Sequence, residues 1–175
     1  MKFNLDKSIE ILERTPTTIY SLLNNISEDW VLLNEGNNSW SAFDVLGHLI
    51  HGEKTDWIPR VTTILSNNSD KSFPPYDRLA QFKNSNGKKM DDLLKEFVQL
   101  RKENMQYLKS KKITPKDLEK KGVHTVFGEV TLAQLIATWM VHDLNHIAQI
   151  TRILAKQYKK EVGPWIEYLT ILKYK

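Results

Sequence analysis

The sequence predicts an all-α protein, a four-helix bundle with one long crossover connection. Apolar residues recur at the spacing of an amphipathic helix in four segments of the 175-residue chain. No segment shows a convincing alternation of apolar and polar residues, so the four helices are predicted to form the bundle without strands between them. Four amphipathic helices without strands are typical of a bundle, a fold whose core often holds a metal site between facing helices.

Composition limits the classes of protein and of site. With 41% hydrophobic and 26% charged residues, the chain is expected to form a single domain over residues 1–175. It contains no cysteine, which excludes disulfides, thiolate metal sites and cysteine nucleophiles, so any metal must be bound by His, Asp or Glu. The charged N-terminus and the lack of a long apolar run predict a cytoplasmic protein without signal peptide or membrane span. The net charge is +4, but the lysines are dispersed, and no nucleic-acid partner is expected.

The first two predicted helices each contain a proline. The first covers about residues 5–26, and Pro16 is expected to kink it or break it into two pieces, because proline removes a backbone donor and clashes one turn back. The second covers about residues 41–65 and begins with a capping box in SAFD. A bend is expected at Pro59.

The other two helices follow connections of different character. Residues 66–89 are rich in Asn, Ser, Lys and Pro and predict the long crossover. The third helix covers about residues 90–108, and the connection after it is expected to hold a short helical turn at 115–120. The fourth covers about residues 131–158 and begins with the capping box TLAQ. The tail, residues 162–174, is expected to add a short helix or strand.

The stretch MVHDLNHIAQI in the fourth helix places His142 and His146 four residues apart in an otherwise apolar run. Residues at this spacing lie one above the other on a helix, so both rings can converge on one point. That geometry suits two imidazoles that bind a divalent cation. In the alternative interpretation each ring is a core histidine, hydrogen-bonded to a neighbouring group.

Two further histidines lie in GHLIHGEKTDW on the second helix. Either His48 or His51, facing the pair on the fourth helix, would complete a three-histidine site that leaves positions open for water or substrate. A helical projection places His48 away from the apolar stripe, near the rim of a cleft, but spacing alone does not separate it from His51. His124, in GVHTVFGEV, either lines the mouth of the cleft or is an ordinary loop histidine.

Asp143 and Gln149 are the candidate catalytic residues. Asp143 projects into the apolar stripe, where a carboxylate must be paired or hydrogen-bonded. It could orient a ligand histidine, pair with an arginine or cap a loop. HDLNH is similar to the HExxH motif of zinc hydrolases, but the shorter Asp143 replaces the glutamate base, so a protease mechanism is not predicted. Gln149 lies beside both histidines and is expected to contact a ligand or a metal-bound water.

Together, WSAFDVLGHL (Trp40–Leu49) and HDLNHIAQI (His142–Ile150) resemble motifs of the DinB-like (DinB/YfiT-type) four-helix bundle superfamily. The helix order, the crossover and the segment FGEVTL extend the similarity over most of the chain. The resemblance implies a divalent metal ion, zinc or nickel in many members, bound by His48, His142 and His146. It thus implies His48 rather than His51. From the residues alone, three imidazoles would also suit copper or iron.

The same resemblance implies an enzyme acting on a small-molecule substrate. Members include thiol-dependent S-transferases, among them bacillithiol transferases, and a mycothiol-dependent maleylpyruvate isomerase, and others are regarded as metal-dependent hydrolases. Homodimers are common. The expectation is therefore a homodimeric, metal-dependent hydrolase or transferase that activates water or a low-molecular-weight thiol such as bacillithiol. The alternative is a non-catalytic bundle, a binding or interaction module with structural histidines or a structural metal.

Several residues near His48 and in the connections complete the expected site. Glu53, Asp56 and Arg60 follow His48 on its helix and could contact substrate or a dimer partner, although surface salt bridges are the favoured interpretation. The walls of the pocket are expected from residues 73–76 and from the tail around Trp165.

Overall fold

Four long helical rods form the bundle in the computed structural model, which describes residues 2–36 and 39–173. Within that part of the chain no helix combines the length and the hydropathy needed to cross a bilayer. The rods are α1 (Leu5–Leu23), α3 (Ala42–Thr55) continued by α4 (Trp57–Leu65), α6 (Met90–Ser110) and α8 (Leu132–Gln157). The shorter elements are α2 (Glu28–Leu32), α5 (Ala80–Asn84), α7 (Pro115–Leu118), strands β1 (Lys121–His124) and β2 (Gly128–Thr131), and 3₁₀ helices at Gly163–Tyr168 and Thr170–Leu172.

Most predicted helix bounds are confirmed. α6 and α8 begin and end within two residues of the prediction, α7 lies where the short turn was expected, and the tail forms the two 3₁₀ helices. α1 ends three residues earlier than expected, and the crossover contains α5.

Pro16 lies inside α1 and does not break it in two, so that alternative of the prediction is wrong. Because proline has no N–H, the carbonyl of Leu12 one turn back loses its helical donor. That carbonyl instead accepts a hydrogen bond of 2.8 Å from Nη1 of Arg101 on α6. A side chain from the neighbouring rod thus supplies the missing donor.

The second rod is interrupted at Asp56, about one turn before Pro59, where a bend was predicted. α3 and α4 part at Asp56 (φ −113°, ψ −66°). Pro59 cannot donate to the carbonyl of Thr55, and its ring crowds that carbonyl, so the helix is interrupted one turn before the proline. The predicted cap of α3 is confirmed: Ser41 Oγ accepts from the N–H of Asp44 at 3.2 Å, and the Asp44 carboxylate accepts from the N–H of Ser41 at 2.9 Å.

A two-stranded antiparallel hairpin precedes α8, so the prediction of no strand between the four helices is wrong. β1 pairs with β2 with Lys121 opposite Thr131, and each strand has four residues. Strands this short show no visible alternation. The hairpin holds the crossover, because Val123 donates to the carbonyl of Lys71 and accepts from the N–H of Phe73, both at 2.9 Å.

The apolar core consists of two clusters along the bundle. One joins the second half of α1 with α3, the first half of α6 and the second half of α8. The other joins the first half of α1 with α4, the second half of α6 and the first half of α8. Between the clusters each rod contributes a buried polar residue, namely Thr15, Glu53, Arg101 and Asp143. A polar layer therefore crosses the middle of the bundle.

Candidate metal centre

Three histidine rings converge at one edge of this polar layer. His48 comes from α3, and His142 and His146 come from successive turns of α8. The Nε2 atom of His142 lies 3.1 Å from Nε2 of His48 and 3.1 Å from Nε2 of His146. One nitrogen of each ring lies within 4.8 Å of the other two. The structure thus brings together the three residues that the resemblance implied.

The two Nε2–Nε2 distances from His142 fit one shared divalent ion. Metal–nitrogen bonds of about 2.0–2.1 Å separate neighbouring ligand nitrogens by about 3.3 Å in tetrahedral and about 2.9 Å in octahedral geometry. Both values of 3.1 Å lie between these limits. Nε2 of His142 carries at most one hydrogen, so it can donate to only one of the two neighbouring Nε2 atoms. A cation at the centre can instead bind the lone pairs of all three nitrogens.

The outer nitrogens of two rings have partners that orient them. Nδ1 of His146 lies 2.8 Å from Oε1 of Gln149, and because an amide oxygen can only accept, Nδ1 carries the hydrogen and Nε2 keeps its lone pair. The Tyr76 hydroxyl lies 3.3 Å from Nδ1 of His48. Gln149 therefore contacts the outer nitrogen of a candidate ligand rather than the side where substrate or water would bind. Such contacts typically orient metal-binding histidines.

Burial keeps the three rings neutral. It lowers the pKa of His48 to about 4 and that of His142 to about 3, with a further lowering from the neighbouring histidine charges. It also lowers the pKa of His146, partly opposed by the hydrogen bond to Gln149. At neutral pH the nitrogens hold lone pairs, and protons do not compete with a metal for them.

The three rings face a cavity of about 570 Å³, large enough for a small organic molecule. Aromatic side chains form its walls. The ring centre of Trp40 lies 5.0 Å from that of His48, and the ring centre of Trp57 lies 5.2 Å from that of His142. Tyr76 lines the cavity from the crossover, and burial raises the pKa of its hydroxyl, which stays protonated at neutral pH.

Asp56 and Arg60 form an ion pair in the wall of the cavity. Arg60 Nη2 lies 2.5 Å from Asp56 Oδ1, and each side chain is only 11% exposed. The guanidinium also lies over the ring of Phe73, at 5.1 Å. Burial raises the pKa of Asp56 to about 6, although Arg60 opposes this. The expected surface position of this pair is wrong: Asp56 and Arg60 follow His48 and Gly52 at four-residue spacing, and all four residues line the cavity.

Asp143 lies on the other side of α8 from the cavity and is fully buried. Its carboxylate accepts from Arg101 at 2.6 and 3.1 Å, so of the three roles left open the structure shows the arginine pair. Arg101 also donates to Glu53 at 2.7 and 3.0 Å. With the bond to the Leu12 carbonyl, these contacts use all five guanidinium hydrogens.

Glu53 was expected at the surface, but it belongs to this buried network. Its carboxylate also accepts from Trp139 Nε1 at 3.0 Å and from Asn104 Nδ2 at 2.9 Å. Each of its two oxygens therefore has two donors. The network joins the rods that carry the candidate metal ligands to the other two rods.

Of the other residues predicted for the site, some line the cavity and some do not. His51 is buried but lies outside the histidine group, with Nε2 3.4 Å from Thr55 Oγ1. His124 lines the cavity, and its Nδ1 accepts from the backbone N–H of Val126 at 3.1 Å. Tyr76 lines the cavity as expected for the crossover, whereas Trp165 does not line it and is 68% exposed. The tail instead packs over a separate apolar pocket beside α1 and α8.

Arg101 and Arg78 were not among the residues predicted from the sequence. Arg101 carried a detectable signal, because it lies four residues after Phe97 and four before Met105, in the buried stripe of α6. A charged residue in such a stripe indicates a buried ion pair. Arg78, which lines the cavity from the crossover, carried no signal, because residues in an irregular segment have no periodicity to place them.

Comparison with known proteins agrees with this fold. Structural similarity is found to YfiT from Bacillus subtilis, described as a probable metal-dependent hydrolase with an unusual four-helix bundle topology, with a TM-score of 0.74 and 19% identity over 93% of this chain and 90% of that one. TT2238, described as a four-helix bundle protein, has a TM-score of 0.55 and 13% identity over 85% of this chain and 98% of that one. No curated protein matches the sequence. The family model of the DinB superfamily matches residues 11–150. The chain therefore belongs to the DinB superfamily.

Proposed function

We propose that the protein is a metal-dependent enzyme in which His48, His142 and His146 bind one divalent cation, with zinc or nickel expected from the family. The observation that carries the proposal is the convergence of three neutral Nε2 atoms beside a cavity. Three protein ligands with an open side are typical of catalytic sites, whereas structural zinc sites use four. The description of YfiT as a probable metal-dependent hydrolase supports the same interpretation.

The chain's own residues would bind and orient the reactants. A divalent cation held by three neutral ligands supplies a Lewis acid that lowers the pKa of water or of a thiol. Gln149 and Tyr76 hold two ligand rings in place, and the two indole rings of the wall exclude bulk water. Among the described residues that line the cavity, Asp56 is the one carboxylic acid. Its pKa of about 6 suits it to take up a proton.

The reaction is of the hydrolase or the thiol S-transferase type. Because the chain contains no cysteine, a thiol would have to come from a small molecule such as bacillithiol. Homodimerisation, a single domain and a cytoplasmic location stay predictions from the sequence.

Metal analysis tests the proposal. Protein purified without a histidine tag, after incubation with zinc or nickel and desalting, is expected to retain about one ion per chain. His48→Ala, His142→Ala and His146→Ala should each lose that ion, because two remaining imidazoles bind a divalent cation much more weakly. Elemental analysis gives the metal content, and circular dichroism confirms that each variant remains helical.

His51→Ala is the matched control, because it removes a buried histidine three residues from His48 that lies outside the group. It should keep the metal. A wild-type protein that retains neither metal, or equal loss of metal in the His51 variant, would contradict the proposal. Metal-loaded protein can then be assayed with ester substrates and with a thiol plus an electrophile, to separate the two reaction types.

A further inference from the structure

The charges that line the cavity are not balanced. Three lining side chains carry a formal charge at neutral pH, Asp56, Arg60 and Arg78. Asp56 and Arg60 neutralise each other in their ion pair. Arg78 is exposed to the cavity and to solvent, and within residues 2–36 and 39–173 it has no salt-bridge partner. The adjacent Asp77 carboxylate accepts instead from the backbone N–H of Leu79, at 2.9 Å.

The candidate ligands add no negative charge. All three are neutral imidazoles, so a divalent cation at the site would keep its full charge, unlike a cation held partly by carboxylates. Neither this charge nor that of Arg78 would have a counter-charge among the side chains that line the cavity. Arg78 is also close enough to His124 that its charge contributes, after burial and Arg60, to lowering the pKa of that histidine. A cavity with this charge attracts anions.

The shape of the cavity adds a second requirement. Its volume of about 570 Å³ suits a small organic molecule rather than an inorganic ion alone. Trp40, Trp57 and Tyr76 give it apolar walls close to the histidines. A single guanidinium matches the single charge and the planar fork of a carboxylate.

We propose that the substrate is a small organic carboxylate, whose carboxylate group binds Arg78 while its reactive group faces the three histidines. The inference rests on the proposed function and adds the class of molecule that the site accepts. Arg60 is not the anchor, because its charge is already paired with that of Asp56. Arg78 is therefore a specificity residue that contacts substrate and not the metal.

A pair of thiol probes tests the role of Arg78 by binding alone. In cobalt-substituted protein, thiolate coordination gives an absorption band in the near ultraviolet. Titration with 3-mercaptopropionate and with 3-mercaptopropionamide compares an anion with a neutral molecule of the same size. We expect the carboxylate to bind about tenfold more tightly to the wild type, as one charge-assisted hydrogen-bonded pair predicts. Arg78→Gln should reduce the preference to about twofold or less and leave the affinity of the amide unchanged.

Lys102→Gln is the matched control, because it removes the same charge from an exposed position on α6 that does not line the cavity. It should keep the preference. Equal binding of both probes to the wild type, or an unchanged preference in Arg78→Gln, overturns this inference and leaves the metal site intact. Failure of cobalt to bind at all overturns the proposed function and this inference with it.

Discussion

Two adjacent residues of α8 have different roles because a helix turns by about 100° between them. The ring of His142 faces the cavity, whereas the carboxylate of Asp143 points into the bundle and binds Arg101. The cavity side holds neutral rings, and the interior side holds a network of one cation and two anions. The sequence HD thus combines a candidate metal ligand with a buried charge.

Arg101→Met should be severely destabilising. It keeps most of the aliphatic stem but leaves Glu53 and Asp143 buried without a counter-charge, and we expect the free energy of unfolding to fall by about 3–5 kcal/mol. Urea unfolding of metal-free protein measures this value. Lys95→Met on the same helix is the control, because it removes an exposed ion pair with Asp91 and should cost less than about 1 kcal/mol. Similar losses in both variants would show that the buried carboxylates do not depend on Arg101.

Asp56 predicts a particular pH dependence of stability. Burial raises its pKa from 3.8 to about 6 in the folded chain, so between these pH values the folded state keeps a proton that the unfolded state has released. The stability contributed by Asp56 is therefore lost as pH rises through this window. We expect the unfolding free energy of the wild type minus that of Asp56→Asn to fall by about 1–3 kcal/mol between pH 4 and 6.

Urea titrations of metal-free protein at several pH values test this expectation. Asp70→Asn serves as the opposite control, because a hydrogen bond from Ser72 lowers the pKa of Asp70. The stability contributed by Asp70 is lost as pH falls, so its difference curve should have the opposite sign and lie at lower pH. A flat difference for Asp56→Asn would mean that the folded chain does not hold the extra proton.

Among the elements, the hairpin and the crossover depend on each other. Gly122 of β1 packs against Phe73 of the crossover so closely that a Cβ atom would lie 2.5 Å from the Phe73 ring and 2.9 Å from Ile64 Cγ1. The same crossover carries Tyr76 and Arg78 to the cavity. The absence of a side chain at one strand position therefore allows the segment that lines the cavity to pack against the bundle.

Gly122→Ala should displace the Phe73 ring and lower the free energy of unfolding by about 1–3 kcal/mol, as overpacking does. Thermal or urea unfolding measures the loss. Val123→Ala, a change at the next position of the same strand, whose side chain is 41% exposed, should have a much smaller effect. Wild-type stability in Gly122→Ala would show that the crossover adjusts without cost.

At the scale of the whole molecule, the features that could be predicted are those that depend on residues three or four positions apart in one helix. The four rods follow from helical spacing, and the pair His142 and His146 follows from two turns of one helix. The choice of His48 required the family resemblance, because spacing alone did not separate it from His51. Local geometry therefore predicts two thirds of the candidate ligand set, and the last ligand depends on how distant rods pack.

The parts that could not be predicted are those that join distant segments. Arg101 contacts three other rods, and its partners lie 42, 48 and 89 residues away in the chain. The hairpin strands were too short to show a period, and Arg78 lies in an irregular segment. The charge balance of the cavity, from which the substrate class was inferred, became visible only in three dimensions.

The missing N–H of Pro16 has a consequence for how the helices stay aligned. Apolar side chains alone would tolerate the sliding of one helix past another by a fraction of a turn, because hydrophobic contact has little directional preference. A guanidinium with every hydrogen engaged on three neighbouring helices tolerates far less. The carbonyl of Leu12, which Pro16 leaves without a helical donor, accepts from Arg101 and so links α1 to this network. A residue usually regarded as a helix breaker therefore fixes the axial position of the helix that contains it.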